Sequence, residues 1–307
     1  MNFKSIEYFL AAAGEQSITK AASRLHITQQ TLSADIAALE RELGHTLFLR
    51  RVPLQLTYAG EIFLRYAQEF QANHRAMERE FSDISGSQKG ILRVGVTFAR
   101  GRALMPTLID AFQQKYPQMS IHLVEASNDQ LGKLLQDGSV DLAIASLSPA
   151  YNITLFPFYS EHWVLLMADR LLETVYGQDK ESVLDRLLRG DYALLAQCPF
   201  VMGIPDDIGG SIGRQFLRQQ RIQPIVKAQS ENLDTLLTLC DMGLGACFAP
   251  KNLIPSSLSH LHSIHLPGSE QQIHFGVKKD GYQWNMICSF METATLCLAD
   301  ETNGFRD

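Results

Sequence analysis

The sequence has no long apolar run. Among its 307 residues no window of about 18 apolar side chains occurs, so no helix is expected to span a membrane. The opening residues, Met1-Asn2-Phe3-Lys4-Ser5-Ile6-Glu7, are not a basic start followed by an apolar segment. A secretory leader is therefore not expected, and the chain is expected in the cytoplasm. The cysteines Cys198, Cys240, Cys247, Cys288 and Cys297 are odd in number and form no C-x-x-C pair, which gives no zinc or disulfide framework. They are expected to be mostly small buried side chains, and with no second cysteine within ten residues of it Cys198 is not expected to form a local redox switch. P-loop, G-x-G-x-x-G and G-x-S-x-G patterns are absent, and Gly209-Gly210-Ser211-Ile212-Gly213 does not match a phosphate loop. His260, His262 and His265 alternate with apolar Leu261, Ile264 and Leu266, as on a solvated strand face. No catalytic residue, cofactor or metal is expected.

An excess of positive charge is also lacking. The net charge is −6, which argues against a generic nucleic-acid binder. Residues 1–58 are the least acidic part, at +1, while residues 59–89 carry −1 and the remainder −6. Hydrophobic residues make up 46% and charged residues 20%, ordinary values for a soluble globular protein. The length suits two or three domains at about 100–200 residues each.

Three short helices are expected in residues 1–58. Phe3, Ile6, Leu10 and Ala13 recur at helical spacing, with Gly14 as the stop. Ser17 can cap a second helix through Ala21, Ala22 and Leu25. Thr28 can cap a third, with Leu32, Ile36, Leu39 and Leu43 on one face and Gly44 at its end. The two apolar stretches around Arg50-Arg51-Val52-Pro53 suggest a small β-hairpin. Residues 58–84 read as one long helix. Its stripe of Ile62, Phe63, Tyr66, Phe70, Met77, Phe81 and Ile84 has a coiled-coil-like period, with Asn73 inside it. A second copy of the chain is the simplest cover for that stripe; the alternative is docking onto the chain's own body.

After a flexible Ser85–Gly90 hinge the pattern changes to alternating strands and helices. Strands at 91–96, 121–125 and 142–145 make one βαβαβ unit, and strands at 200–202, 225–228 and 246–249 make a second. A strand at 161–168 passes from the first to the second. A strand at 274–277 and a helix at 284–298 can return to the first. Two α/β lobes joined by two crossovers make a cleft, the form of a small-molecule-binding body.

The third helix carries the sharpest signal. Opposite its apolar face lie Gln30, Ser33, Ala34, Ala37 and Arg41, short or hydrogen-bonding side chains that allow close approach to a DNA major groove. Free N–H groups at the helix starts by Ser17 and Thr28 suit phosphate oxygens, and Arg50 and Arg51 are placed as a wing to meet the DNA backbone. A plain three-helix module with a solvated polar face has the same pattern.

The sequence resembles the LysR-type transcriptional regulators. The matching run is Phe9-Leu10, then Ser17-Ile18-Thr19-Lys20-Ala21-Ala22-Ser23-Arg24-Leu25-His26-Ile27-Thr28-Gln29-Gln30-Thr31-Leu32-Ser33. It continues through Ile36, Leu39-Glu40, Glu42-Leu43-Gly44, Leu47-Phe48, Arg50 and Leu56-Thr57-Tyr58-Ala59-Gly60. In the body it includes Leu92-Arg93-Val94-Gly95, Pro106, Phe112, Tyr116-Pro117 and Asp137-Gly138-Ser139-Val140-Asp141-Leu142-Ala143-Ile144. The resemblance implies an N-terminal all-α winged helix–turn–helix over 1–58 and a dimerising linker helix and hinge over 59–89. It implies an α/β effector domain over 90–307, two-lobed like periplasmic binding proteins. Lobe I is expected at about 90–160 and 268–307, and lobe II at about 161–267. It further implies double-stranded DNA and a small-molecule effector as partners, a homodimer or homotetramer, and RNA polymerase as a possible partner. Thr19, Gln29 and Thr31 join the expected DNA-binding set. The chain departs from the family at Gln30, where Pro is usual, and at Ala34, where Arg is frequent. Specific binding should then lean on Gln29, Gln30, Ser33 and the wing arginines.

Ligands in such lobes sit at strand C-terminal ends facing helix N-termini. That nominates the stretch 97–100, with Thr97 and Arg100 foremost, and Ser127, Asn128 and Ser146 from lobe I, and Met202, Gly203, Ser230 and Asn232 from lobe II. Helix N–H groups and Arg100 favour an anionic effector. Ala99 stands where relatives often carry a hydroxyl. Two rival classes are a cytoplasmic solute-binding module whose N-terminal helices only dimerise, and an enzyme using the cleft, for which no nucleophile–base pair is found.

Overall fold

A computed structural model of the protein describes residues 2–86, 88–149, 151–205, 208–279 and 281–304. The N-terminal head holds α1 (Phe3–Glu15), α2 (Ile18–Arg24) and α3 (Gln29–Leu43), then the two-stranded wing β1 (Phe48–Leu49) and β2 (Gln55–Leu56). Local chemistry sets these boundaries. Asn2, Ser17 and Thr28 each accept a backbone N–H three residues on, and Gly44 ends α3 in the left-handed region. Gly14 does not stop α1, which runs to Glu15 and turns at Gln16 (φ 47°). A lone glycine weakens a helix without ending it. Phe9, Leu32, Leu39 and Leu47 are sealed in the core of the head.

The long helix α4 (Tyr58–Ile84) starts from Thr57, whose hydroxyl accepts the Gly60 N–H. Gly60 is required there, because a Cβ would lie 2.1 Å from the Leu47 carbonyl oxygen. Phe63 packs edge-on against Phe9, which ties the start of α4 into the head.

The body follows in a fixed alternation. Its first part holds β3 (Gly90–Val96), α5 (Phe98–Lys115), β4 (Met119–Glu125), α6 (Asn128–Gln136), β5 (Leu142–Ala145) and the long β6 (Ile153–Met167). Next come α7 (Asp169–Tyr176), α8 (Lys180–Leu188), β7 (Pro199–Met202), α9 (Ile208–Gln219), β8 (Ile225–Gln229), α10 (Leu233–Asp241) and β9 (Ala246–Pro250). The chain closes with the long β10 (His262–Lys278) and α11 (Asn285–Gly304). One hydrogen-bonded sheet has the order β4-β3-β5-β10-β6-β9-β7-β8. Within it β3 pairs in parallel with β4 and β5, and β7 with β8 and β9, as two βαβαβ units require.

The two crossovers are longer than the sequence suggests. β6 begins at Ile153 and β10 at His262, and they pair antiparallel from one lobe into the other. Pro157 and the Pro267-Gly268 step hide them, because such residues read as strand breakers. Both fall at irregularities in the ladder, between Ile273 and His274 and between His265 and Glu270. Lobe I closes around Val94, Phe112, Phe275 and Phe290, with α11 packed on it. Lobe II closes around Leu165, Phe200, Leu217 and Phe248, with α7 and α8 adding Leu172 and Leu187. Among the described residues no helix is long and apolar enough to cross a membrane.

Candidate functional site

Two surfaces collect the residues singled out by the sequence. On the head, Gln29, Gln30, Thr31, Ala34 and Arg41 are exposed, while Ser33 and Ala37 are half-buried. The Thr19 hydroxyl donates to Gln29 Oε1 (3.2 Å), so α2 steers the first side chain of α3. Thr28 caps α3 through the Thr31 N–H (3.1 Å), and the two hydroxyls lie 2.8 Å apart. Ser17 caps α2 through the Lys20 N–H (3.3 Å). Arg41 Nε donates to the Ala37 carbonyl (3.2 Å) and leaves the rest of its guanidinium outward. The wing is fixed to α3 by Glu40, whose Oε1 accepts the N–H groups of Leu47 (2.7 Å) and Phe48 (3.2 Å). Arg50 and Arg51 are exposed on it beside a fully exposed Val52. The Glu40 brace was not read from the sequence, because a wing seven residues away gives no local signal.

Helix α4 has two faces. Tyr66, Phe70, Met77, Phe81 and Ile84 are exposed, although Phe3 lies against Phe70 (5.5 Å). The other side docks on lobe I. Arg75 donates to the Gly138 carbonyl (3.0 Å), and Arg79 pairs with Asp141, whose other oxygen accepts the Arg93 N–H (2.9 Å). Asp83 accepts from Tyr282 Oη (2.8 Å) and from the Asn285 N–H (3.1 Å). Burial lowers the Arg79 pKa and raises that of Asp141, and their mutual attraction partly offsets both shifts. The chain's own body thus takes the arginine side of α4 and leaves most of the aromatic stripe uncovered.

The cleft between the lobes has a volume of about 770 Å³. Of the expected residues, Thr97, Arg100, Ser127, Asn128, Ser146, Gly203 and Asn232 line it. Met202 is buried in the sheet, and its carbonyl accepts the Ser230 N–H (3.2 Å); neither side chain is among the lining. Phe98, within the nominated stretch, also lines it, and residues the sequence did not nominate complete the walls: Tyr151 from lobe I, and Trp163, Ile208, Leu236 and Phe248 from lobe II. Trp163 on the crossover strand β6 and Phe248 on β9 are apolar core positions by pattern that also reach the cleft.

Polar groups at the floor satisfy one another. Ser127 and Gln130 form a reciprocal capping box at the start of α6. Asn128 Oδ1 accepts the Ser146 N–H (3.1 Å), and Ser146 Oγ accepts from Gln271 (2.8 Å). Arg100 forks onto Glu161 in β6, with Nε to Oε1 at 2.8 Å and Nη2 to Oε2 at 2.7 Å. Its Nη1 donates to Thr97 Oγ1 (3.1 Å), and Tyr159 Oη donates to Glu161 (2.8 Å). Burial opposes the Arg100 charge, but Glu161 outweighs it and holds the pKa above the ordinary value. Burial first, and Glu161 second, push the Tyr159 phenol upward. With its hydroxyl turned to Arg100, Thr97 gives α5 no side-chain cap, so the first N–H groups of that helix, whose first residues line the cleft, are left without one.

The other marked residues lie away from the cleft. His260 pairs with Asp241 (2.7 Å) and His262 with Asp169 (3.0 Å), and His262 opens β10. Gly210 and Gly213 lie inside α9, not in a turn. Burial raises the thiol pKa of Cys198 and Cys240 to about 12.

A winged helix–turn–helix, joined by a long helix to a two-lobed body with a central cleft, defines a ligand-responsive DNA-binding protein. Residues 3–61 match the family described as "Bacterial regulatory helix-turn-helix protein, lysR family", and residues 85–295 match "LysR substrate binding domain". The chain belongs to the LysR family of transcriptional regulators. It is 30% identical over 253 residues to the "Uncharacterized HTH-type transcriptional regulator YybE" of Bacillus subtilis, covering 81% of this chain and 82% of that one. It is 35% identical over 264 residues to the "Probable RuBisCO transcriptional regulator" of Thalassiosira pseudonana, covering 83% of each. The fold is that of full-length CbnR complexed with its target DNA, with a TM-score of 0.65 and 21% identity over 96% of this chain and 99% of that one. The protein is a DNA-binding transcriptional regulator with an effector-binding domain. The helix–turn–helix match does not favour a module whose N-terminal helices only dimerise.

Proposed function

We propose that α3 enters the major groove, with Gln29, Gln30 and Ser33 reading base edges and Thr31, Ala34 and Ala37 lying along the groove wall. Ser17, Thr19, Thr28, Arg41, Arg50 and Arg51 meet phosphate and set register. The observation that carries this reading is the exposed face of α3, polar or small along its length, with Gln29 pre-oriented by Thr19. The exposed stripe on α4 supports a homodimer, or a homotetramer built from it. A DNA-binding regulator of this kind works in the cytoplasm beside RNA polymerase at the promoter and needs no enzymatic chemistry of its own.

The effector is a small molecule held in the cleft. Its anionic group meets the uncapped N–H groups at the start of α5, and its apolar part meets Trp163 and Phe248. Arg100 is already matched by Glu161, so it shapes the floor instead of supplying the counter-charge. A ligand that binds the closed lobes better shifts the population toward closure. Lobe I then moves α4 through Arg75 and Arg79 and changes the spacing of the two recognition helices.

Gel shifts on promoter and scrambled fragments test the DNA half. Gln29→Ala should weaken promoter binding and leave scrambled DNA nearly unchanged; an equal loss on both removes the base-reading role. For the effector half, titrating ligands while following bending of bound DNA should reveal one that alters it. A ligand that occupies the cleft with no change in bending or affinity counts against coupling.

A further inference from the structure

Helix α5 carries two arginines that leave it on different sides. Arg100 turns inward to Glu161 on the crossover strand, and both side chains are almost fully buried. Arg102, two residues on, reaches across to lobe II. Its Nε donates to Asp234 Oδ1 (3.1 Å) at the start of α10, and its Nη2 donates to the Leu253 carbonyl (2.8 Å). Leu253, like Leu236 one turn along α10, lines the cleft, so this bridge stands at the cleft wall. The Arg102 and Asp234 side chains are 37% and 42% exposed.

The two anchors differ in what it takes to release them. Separating Arg100 from Glu161 would leave two charges stranded without water, so that contact stays closed. Arg102 and Asp234 exchange each other for solvent at little cost, and salt screens their attraction. The lobes are joined covalently only through the crossovers and nearby segments, which permits a hinge motion. We infer that Arg102 is the releasable clasp that sets the aperture of the cleft: made, it holds α10 and Leu253 against α5; released, it lets lobe II swing away. Salt-dependent opening follows, because the clasp is an exposed ion pair while the floor beneath it is not.

The clasp matters for regulation because the cleft is read as the effector site, but its test contains no effector. Spin labels at Gln114→Cys on lobe I and Lys227→Cys on lobe II, with Cys288→Ser and Cys297→Ser, report the interlobe distance. Labelled chain is diluted with unlabelled chain so that distances within one protomer dominate. Between about 0.05 M and about 0.5 M salt the parent distribution should move to longer distance. Arg102→Gln should show the longer distance at both salts, and the exchange R102D with D234R should restore part of the short one. An Arg102→Gln distribution that coincides with the parent at both salts overturns the clasp and leaves the effector reading standing. A parent distance that ignores salt while Arg102→Gln stays short overturns it as well.

Discussion

On α3 the side chains that face outward are held by single light contacts, Thr19 to Gln29 and Thr28 to Thr31. Beneath the cleft, Arg100, Glu161 and Tyr159 are enclosed and each finds its partner within the protein. The head keeps its polar groups available for another molecule. The body uses most of its own to hold two lobes in register and leaves the start of α5 without a side-chain cap. Stability and recognition are therefore separable in the head and entangled in the body.

The largest expected effect lies on the body side. Glu161→Ala strands a buried guanidinium and should cost about 3–5 kcal/mol of body stability in denaturant unfolding. Replacing Arg100 and Glu161 together by leucine should recover much of that loss. A single replacement that leaves the midpoint unchanged would break the contrast. Next in size, Gln29→Ala should remove about 1–3 kcal/mol of discrimination between promoter and scrambled DNA, with no shift in melting temperature. A matching fall in stability would show that the head is as entangled as the body.

Smaller again, Arg50→Ala should reduce the dependence of log affinity on log salt by about 0.9 for each DNA-bound protomer, on every DNA sequence alike. Last comes alkaline pH. The thiols of Cys198 and Cys240 have pKa values raised from 9.0 to about 12 by burial. A raised value means that the unfolded chain loses these protons first, so body stability should fall as pH rises from about 9 toward about 12. The head contains no cysteine and lacks this source of alkaline loss. Circular dichroism of the whole chain, with fluorescence of Trp163 and Trp284 for the body, separates the two.

The head was legible in the sequence because its signals are local. Ser17, Thr28 and Gly44 cap the helices they adjoin, and the apolar and polar faces of α3 repeat within one helix. The alternation of strands and helices in the body was legible for the same reason. Helices α7 and α8 were not among the expected elements; Ala168 is no capping residue, and Asp179, though of a capping type, makes no cap hydrogen bond. The ion pairs that organise the body join residues about sixty apart, Arg79 with Asp141 and Arg100 with Glu161. Such pairs leave no periodic trace. Met202 and Ser230 sit at the nominated strand end, yet their side chains are not among the lining of the cleft, because a strand end fixes a neighbourhood and not a direction.

The long return strand β10 also fixes an order of events. Residues 143–145 of lobe I wait for residues 274–276 as their antiparallel neighbour, and those are made only after the whole of lobe II. A ribosome therefore exposes a complete head and the whole of α4 well before the sheet of lobe I can close behind them.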